Sequence, residues 1–276
     1  MNIGMQGVPG WKHGKNIMSL DVPPELDDTI TLPAKHRMSW FNQVMGGEGL
    51  TPSQVVFFTG DPGIGKTTTL LQLADALHGE GRCAVSGKRV IVIYNTAEES
   101  LFQVRRTMRR VELKKGFIAG QDSKLDALLQ HVDQVQAANP NARVVVIQDS
   151  LQTLDDGHYK DGGITSGTNM RCMEAIVKHA KEKWSTWIVI GHVTKGGNAA
   201  GKNSIVHTGD AHVTFHFDRA KKSATHGERL IGTTKNRFGS AGCMYVLGMA
   251  KDGIFSKGSL AEVTDSLSDM ETSEDD

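Results

Sequence analysis

The stretch that decides the fold is Gly60-Asp61-Pro62-Gly63-Ile64-Gly65-Lys66-Thr67, which fits the pattern GxxxxGK[ST] in full. Upstream of it, residues 55–59 form a short apolar run. Downstream, Leu70, Leu71, Leu73, Ala74 and Leu77 recur at helical spacing within 67–77. Strand, glycine-rich turn and helix in that order are the context in which such a motif cradles phosphates. The glycines let the backbone wrap an anion with its N–H groups turned inward. The helix N-terminus adds a favourable partial positive charge. The spacing therefore predicts a nucleotide cradle from Gly60 to Thr68. Lys66 is expected on the β- and γ-phosphates and the Thr67 hydroxyl on Mg²⁺, so ATP and Mg²⁺ are the expected ligands.

Outward from this loop, strands and helices alternate. Residues 90–94, 144–147 and 187–190 are apolar runs of strand length. The β-branched run at 144–147 suits a strand buried on both faces. Between the runs, apolar residues mark three helix faces: Leu101, Val104, Met108 and Val111; Leu125, Leu128, Leu129 and Val132; and Met170, Met173, Val177, Ala180 and Trp184. The order predicts an α/β fold, a mainly parallel sheet flanked by helices. After residue 210, Val213, Phe215 and Phe217 alternate with polar residues, and further strand-like runs follow without long helices. These are expected as antiparallel strands added at the C-terminal edge.

The 276 residues suffice for one large domain. We expect an irregular N-terminal arm over 1–36, the domain over 37–258 and an acidic, disordered tail over 259–276. That tail holds seven acids and no Lys or Arg, so the first 258 residues carry 31 basic against 24 acidic residues. A mildly basic body can meet nucleic acid or simply be well solvated. No apolar run reaches membrane-spanning length and no secretory signal opens the chain. Cys83, Cys172 and Cys243 are scattered, which indicates neither a zinc site nor a disulfide framework. The cytoplasm is the expected compartment.

Further residues carry chemistry. Asp149 ends the 144–147 strand, where a carboxylate can order a Mg²⁺ shell or merely cap a turn. Glu98 and Glu99 follow the 90–94 strand; either can accept a proton from an attacking water, or favour the dipole of the next helix. His192 ends the 187–190 strand, where a polar group can feel the γ-phosphate, though a lone His is more often structural. Lys235-Asn-Arg-Phe-Gly239 is a dense cationic end to a strand. It is either a surface cluster or an arginine finger, with Lys235 and Arg237 serving a neighbouring subunit. Arg105, Arg106, Arg109, Arg110, Lys114 and Lys115 form a basic run that is a solvated face or a DNA or subunit contact. Two glycine-rich stretches, 157–168 and 195–209, follow core strands and carry Lys160, Lys195 and Lys202. With Arg171, these are the candidate DNA contacts. His207, His212 and His216 suit the alternate faces of a strand at least as well as a metal site.

Taken together, GDPGIGKT (60–67), AEES (97–100), DSLQT (149–153), GHVTKGG (191–197) and KNRFG (235–239) stand in an order that resembles the ATPase core of the RadA/Sms family. The likeness covers roughly residues 37–256; KaiC-like and DnaB-like proteins share the core but not KNRFG. The resemblance implies a RecA-like fold, a ring or filament homo-oligomer with ATP between subunits, and a DNA-dependent ATPase motor in recombination, repair or replication. It implies that Glu98 activates water, that His192 senses the γ-phosphate, and that Lys235 and Arg237 act in trans. It also implies that the glycine-rich loops line a path for single-stranded DNA. The family's four-cysteine zinc module and Lon-like domain have no counterpart among these residues. A nucleotide-switched regulator or loader, KaiC-like or DnaB-like, is the alternative reading.

Overall fold

The computed structural model describes residues 18, 21–158, 164–192 and 202–274. The elements run β1 (Ile30–Thr31), α1 (Trp40–Val44), β2 (Val55–Gly60), α2 (Lys66–Glu80), β3 (Arg82–Cys83), β4 (Arg89–Thr96), α3 (Leu101–Arg110), β5 (Ile118–Gly120) and α4 (Leu125–Ala138). They continue with β6 (Ala142–Asp149), α5 (Ser166–Lys183), β7 (Thr186–His192), α6 (Lys202–Thr208), β8 (Ala211–Phe217), β9 (Arg229–Asn236), β10 (Met244–Ala250), β11 (Gly253–Ser259) and α7 (Leu260–Glu274). One sheet takes the order β1-β3-β4-β6-β7-β2-β8-β9-β10-β11, with β5 paired to β4. From β4 to β8 the neighbours are parallel. From β8 to β11 they are antiparallel, as the loss of helical spacing after residue 210 predicted.

The central strands read as continuous apolar runs because both faces are covered. In β6, Val145 and Ile147 join the core beneath α1 and α2, while Val144 and Val146 join the core beneath α4 and α5. β2 divides likewise, with Val56 and Phe58 on the first face and Val55 and Phe57 on the second. This two-sided burial holds the central strands rigid, and their C-terminal ends carry the site.

Three expectations are corrected. The N-terminal arm does not extend to residue 36: β1 pairs with β3, Ile30 and Leu32 are buried, and Asp28 accepts hydrogen bonds from Val85 N, Ser86 N and Ser86 Oγ. A two-residue strand is too short to show periodicity. The stretch 195–209, expected as a loop, contains α6. The acidic stretch after Gly258, expected to be disordered, contains α7. Ser259 Oγ accepts from Glu262 N, while Glu262 Oε2 accepts from Ser259 N and Oγ. That is a capping box, a local start signal that outweighs net acidity.

Ile147 is fully buried between β6 and the α2 layer. Ile147→Ala is expected to cost about 2–5 kcal/mol and Ile147→Val about 1 kcal/mol, measured by denaturant unfolding.

Candidate functional site

The glycine-rich turn joins the end of β2 to α2. Gly65 sits at φ 112°, a conformation that glycine adopts without strain and other residues avoid. At Gly60 a Cβ would lie 2.3 Å from the Phe215 carbonyl oxygen, so only glycine fits beside β8. Lys66 Nζ donates to the Gly60 and Asp61 carbonyls at 2.9 and 3.0 Å. Burial pushes the Lys66 ammonium below its ordinary pKa, against the opposing pull of Asp149, Asp61 and Glu98. The Asp61 carboxylate turns away from the cavity and accepts from Phe217 N and Arg219, which pins the turn to the end of β8.

Asp149 ends β6 beside this turn. Its Oδ2 accepts from Tyr94 Oη at 2.7 Å and from Thr67 Oγ1 at 3.3 Å. Burial raises the Asp149 pKa, with the charges of Glu98 and Glu99 adding to it, while the Tyr94 and Thr67 hydrogen bonds work the other way. Burial and the same carboxylate push Tyr94 well above the usual phenol range. A hydroxyl and a carboxylate side by side are the oxygen donors a hard cation takes.

Glu98 precedes α3 rather than lying in it. Ser100 is the N-cap, its hydroxyl accepting from Gln103 N, and the first turn of α3 holds no acid. The dipole reading of Glu98 therefore loses its ground. Instead Glu98 Oε1 accepts from Ser150 Oγ and pairs with His192 Nε2 at 3.0 Å. Burial tends to raise the Glu98 pKa, but the His192 and Ser150 hydrogen bonds, with the electrostatic pull of His192 and Lys66, outweigh it and hold the carboxyl below its ordinary value. Lys66, Thr67, Glu98, Asp149 and His192 all line one cavity of about 450 Å³, with Met249 and Ile190 as apolar walls.

Lys235 and Arg237 lie elsewhere. β9 runs antiparallel to β8, so its end stands at the start of β2, about 17 Å along the strand from Gly60. Lys235 Nζ donates to the carbonyls of Gly209, His207 and Val206. Arg237 Nη1 meets Asp210 Oδ1 at 3.3 Å, and the other Asp210 oxygen accepts from Val55 N. Neither cation reaches the cavity of its own chain. Of the candidate DNA contacts, Lys160 and Lys195 lie outside the described residues, and Lys202 opens α6. Arg171 is bound to both Asp156 oxygens and to the His158 carbonyl, which ties down the segment after β6. His212 is bridged between Thr59 and Thr234, and burial, with Lys235 nearby, lowers its pKa to about 4. It is a neutral packing residue. No cluster of three metal-ligating side chains occurs among the described residues.

Residues 41–198 match the family model described as AAA domain. The chain belongs to the AAA domain family. Among curated proteins, a DNA repair protein RadA from Mycobacterium tuberculosis is 34% identical over 238 residues, which cover 83% of this chain and 45% of that protein. The Bacillus subtilis protein of the same name is 30% identical over 80% of this chain and 44% of its own length. The chain thus spans less than half the length of these relatives. Among solved structures, one described as an ATPase domain aligns with a TM-score of 0.63 at 14% identity, over 84% of this chain and 93% of that one. A KaiC-like protein from Pyrococcus horikoshii aligns with a TM-score of 0.54 at 17% identity, over 78% and 94%. The sheet order and these likenesses give a RecA-like P-loop ATPase fold.

Sequence reasoning missed Tyr94, Ser150, Arg219 and Met249 in this AAA domain. Ser150 and Tyr94 flank motifs that were read, but what they touch depends on the pairing of β4 with β6. Only the DSLQT match bore on Ser150.

The Ser150 bond yields a test. Glu98 is depressed in the folded state, so its contribution to stability is present above the unfolded value of 4.5 and is lost as pH falls through the folded value. Ser150→Ala removes one donor, so the Glu98 carboxyl is expected to titrate at higher pH than in the unaltered protein. Side-chain carboxyl NMR across an acid titration checks this; an unchanged Glu98 curve refutes the holding role of Ser150.

Proposed function

We propose that this chain is an ATP-driven, DNA-dependent motor of the RadA type, acting on single-stranded or branched DNA in recombination, repair or replication in the cytoplasm. The observation that carries the reading is the split placement of its charged groups. Lys66, Thr67, Glu98, Asp149 and His192 share one cavity, while Lys235 and Arg237 stand at the far end of β2.

In this reading the Gly60–Thr68 loop holds the triphosphate of ATP, with Lys66 exchanging its two carbonyl partners for phosphate oxygens. Thr67 and Asp149 are the residues that would hold Mg²⁺, which supplies charge neutralisation on the phosphate oxygens when bound. Glu98, kept ionised by its partners, accepts the proton of the attacking water. His192 pairs with Glu98, so its position answers to the γ-phosphate and passes on to the segment that follows, where Lys195 and Lys202 lie. Lys235 and Arg237 of a neighbouring copy complete the charge stabilisation, and Lys160, Arg171, Lys195 and Lys202 line the path of the strand. The name of the RadA relatives, DNA repair protein, supports DNA as the polymer.

The test is ATP turnover with and without single-stranded DNA across a salt series, with mass measured on the same sample. Turnover is expected to rise with DNA, and the rise to fade steeply with salt as phosphate contacts are screened. Turnover indifferent to DNA at every salt concentration sinks the motor reading in favour of a nucleotide-switched regulator. Lys66→Ala is expected to lower turnover about a hundredfold or more.

Subunit mixing tests the finger. Lys66→Ala and Arg237→Ala proteins, each inactive alone, are expected to recover about a quarter of wild-type turnover when mixed equally in a head-to-tail oligomer. An oligomer without recovery returns Arg237 to a structural role at Asp210.

A further inference from the structure

β8 and β9 are joined by a hairpin turn, residues 218–228, that leaves the sheet at the same end as the nucleotide cavity. Gly60 pairs with Phe215 of β8, so the turn starts beside the phosphate loop. Its surface presents Arg219, Lys221, Lys222 and His226. The acids of the turn are already engaged. Asp218 is buried and accepts from Ala220 N and from Thr225 Oγ1. Glu228 pairs with Lys257 at 2.7 Å. Lys221 and Lys222 have no acidic partner among the described residues. The charge that the tip turns outward is therefore cationic.

The tip is braced from within and from the phosphate loop. Gly227 N donates to the Asp218 carbonyl and Glu228 N to the Thr225 carbonyl. Arg219 meets Asp61 Oδ2 at 3.0 Å while its side chain stays 75% exposed. At the base of the turn, Arg229 Nε donates to the Ile64 carbonyl at 3.2 Å, and its guanidinium lies over the Phe217 ring. Lys221 and Lys222 thus stand on a fixed platform next to the nucleotide site. Neither lines the nucleotide cavity, so they are left for a ligand that comes from outside.

The chemistry of the tip selects that ligand. No large apolar side chain is exposed between residues 218 and 228. Protein interfaces are built on aromatic and aliphatic anchors and are poor in lysine at their centres. A row of phosphates needs no such anchor and is held by exposed point charges. We propose that the β8–β9 tip is a nucleic-acid contact, with Lys221 and Lys222 on backbone phosphates and Arg219 beside them. This rests on the reading of the chain as a DNA-binding ATPase and adds a site to the residues given above for the path of the strand. With no ring to stack on a base, the tip holds phosphates whatever the sequence.

Binding of a labelled single-stranded oligonucleotide to the full chain, followed by fluorescence anisotropy across a salt series, tests the contact. Lys221→Ala/Lys222→Ala is expected to bind about tenfold more weakly at low salt, and its slope of log affinity against log salt to be shallower by about 1.4, two phosphate contacts at about 0.7 each. Lys221→Arg/Lys222→Arg keeps the charge and is expected to retain both affinity and slope. Both positions are exposed, so the melting temperature is expected to stay the same. A Lys221→Ala/Lys222→Ala protein that binds like the wild type overturns the proposal, as does weaker binding at an unchanged slope, or a wild type that binds no oligonucleotide. A changed mass at unchanged oligonucleotide binding overturns it too, and marks the tip as a protein contact. Because binding is read and not turnover, the two readings fail separately. Turnover indifferent to DNA sinks the motor and leaves this contact standing, while wild-type binding by the alanine variant removes the contact and leaves the motor.

Discussion

The hydrogen-bonded register of the parallel strands sets the level at which each functional side chain leaves the sheet. Thr96 of β4 stands opposite Asp149 of β6, and Gly60 of β2 stands opposite His192 of β7. Side chains distant in sequence therefore emerge together at one end of the sheet. Because both faces of these strands are buried, a slip of one residue would turn each apolar row out of its core. The packing that stabilises the fold is thus what aligns the cavity.

That alignment places a cation and two carboxylates where water is partly excluded. Burial is the largest influence on Lys66, Asp149 and Glu98 alike, and it opposes the charged form of each. The outcome differs because the partners differ. Glu98 has a hydroxyl donor and an imidazole, and ends below its ordinary value. Asp149 has two hydroxyl donors but faces two like charges, and ends above it. Two carboxylates in one cavity are thereby separated: one is held below its ordinary value, the other above it.

Much of this was legible in the sequence, and the exceptions have physical causes. The Gly60–Thr67 loop was readable because its backbone conformation demands glycine at set positions, and the mainly parallel sheet because two-sided burial leaves unbroken apolar runs between helical segments. Glu98, Asp149 and His192 were readable because each follows such a run. Tyr94 was not: its ring belongs to the apolar row of β4, and only the neighbouring strand brings Asp149 to its hydroxyl. β1 was too short to carry a pattern. α7 was masked by its acidity, although Ser259 and Glu262 stand at capping-box spacing. The place of Lys235 and Arg237 relative to the cavity could not be read from KNRFG, because it depends on β9 running antiparallel to β8.

That last direction shapes how copies can meet. Arg237 is tied to Asp210, and Asp210 also holds Val55 N at the start of β2, while the phosphate loop leaves from the end of the same strand. A buried strand does not shorten, so no movement within one chain joins the two ends. If Lys235 and Arg237 serve a cavity, as proposed, it is another copy's. A two-fold dimer can satisfy that only by bringing both ends of β2 into one shared patch, about 17 Å apart on each copy, with the approach of one cavity dictating that of the other. A head-to-tail arrangement carries no such restriction, since the first end of one β2 meets the last end of the next and the contact repeats. On the proposed trans role, the separation of the cationic pentapeptide from its own nucleotide loop is met more simply by a head-to-tail contact than by a symmetric pair.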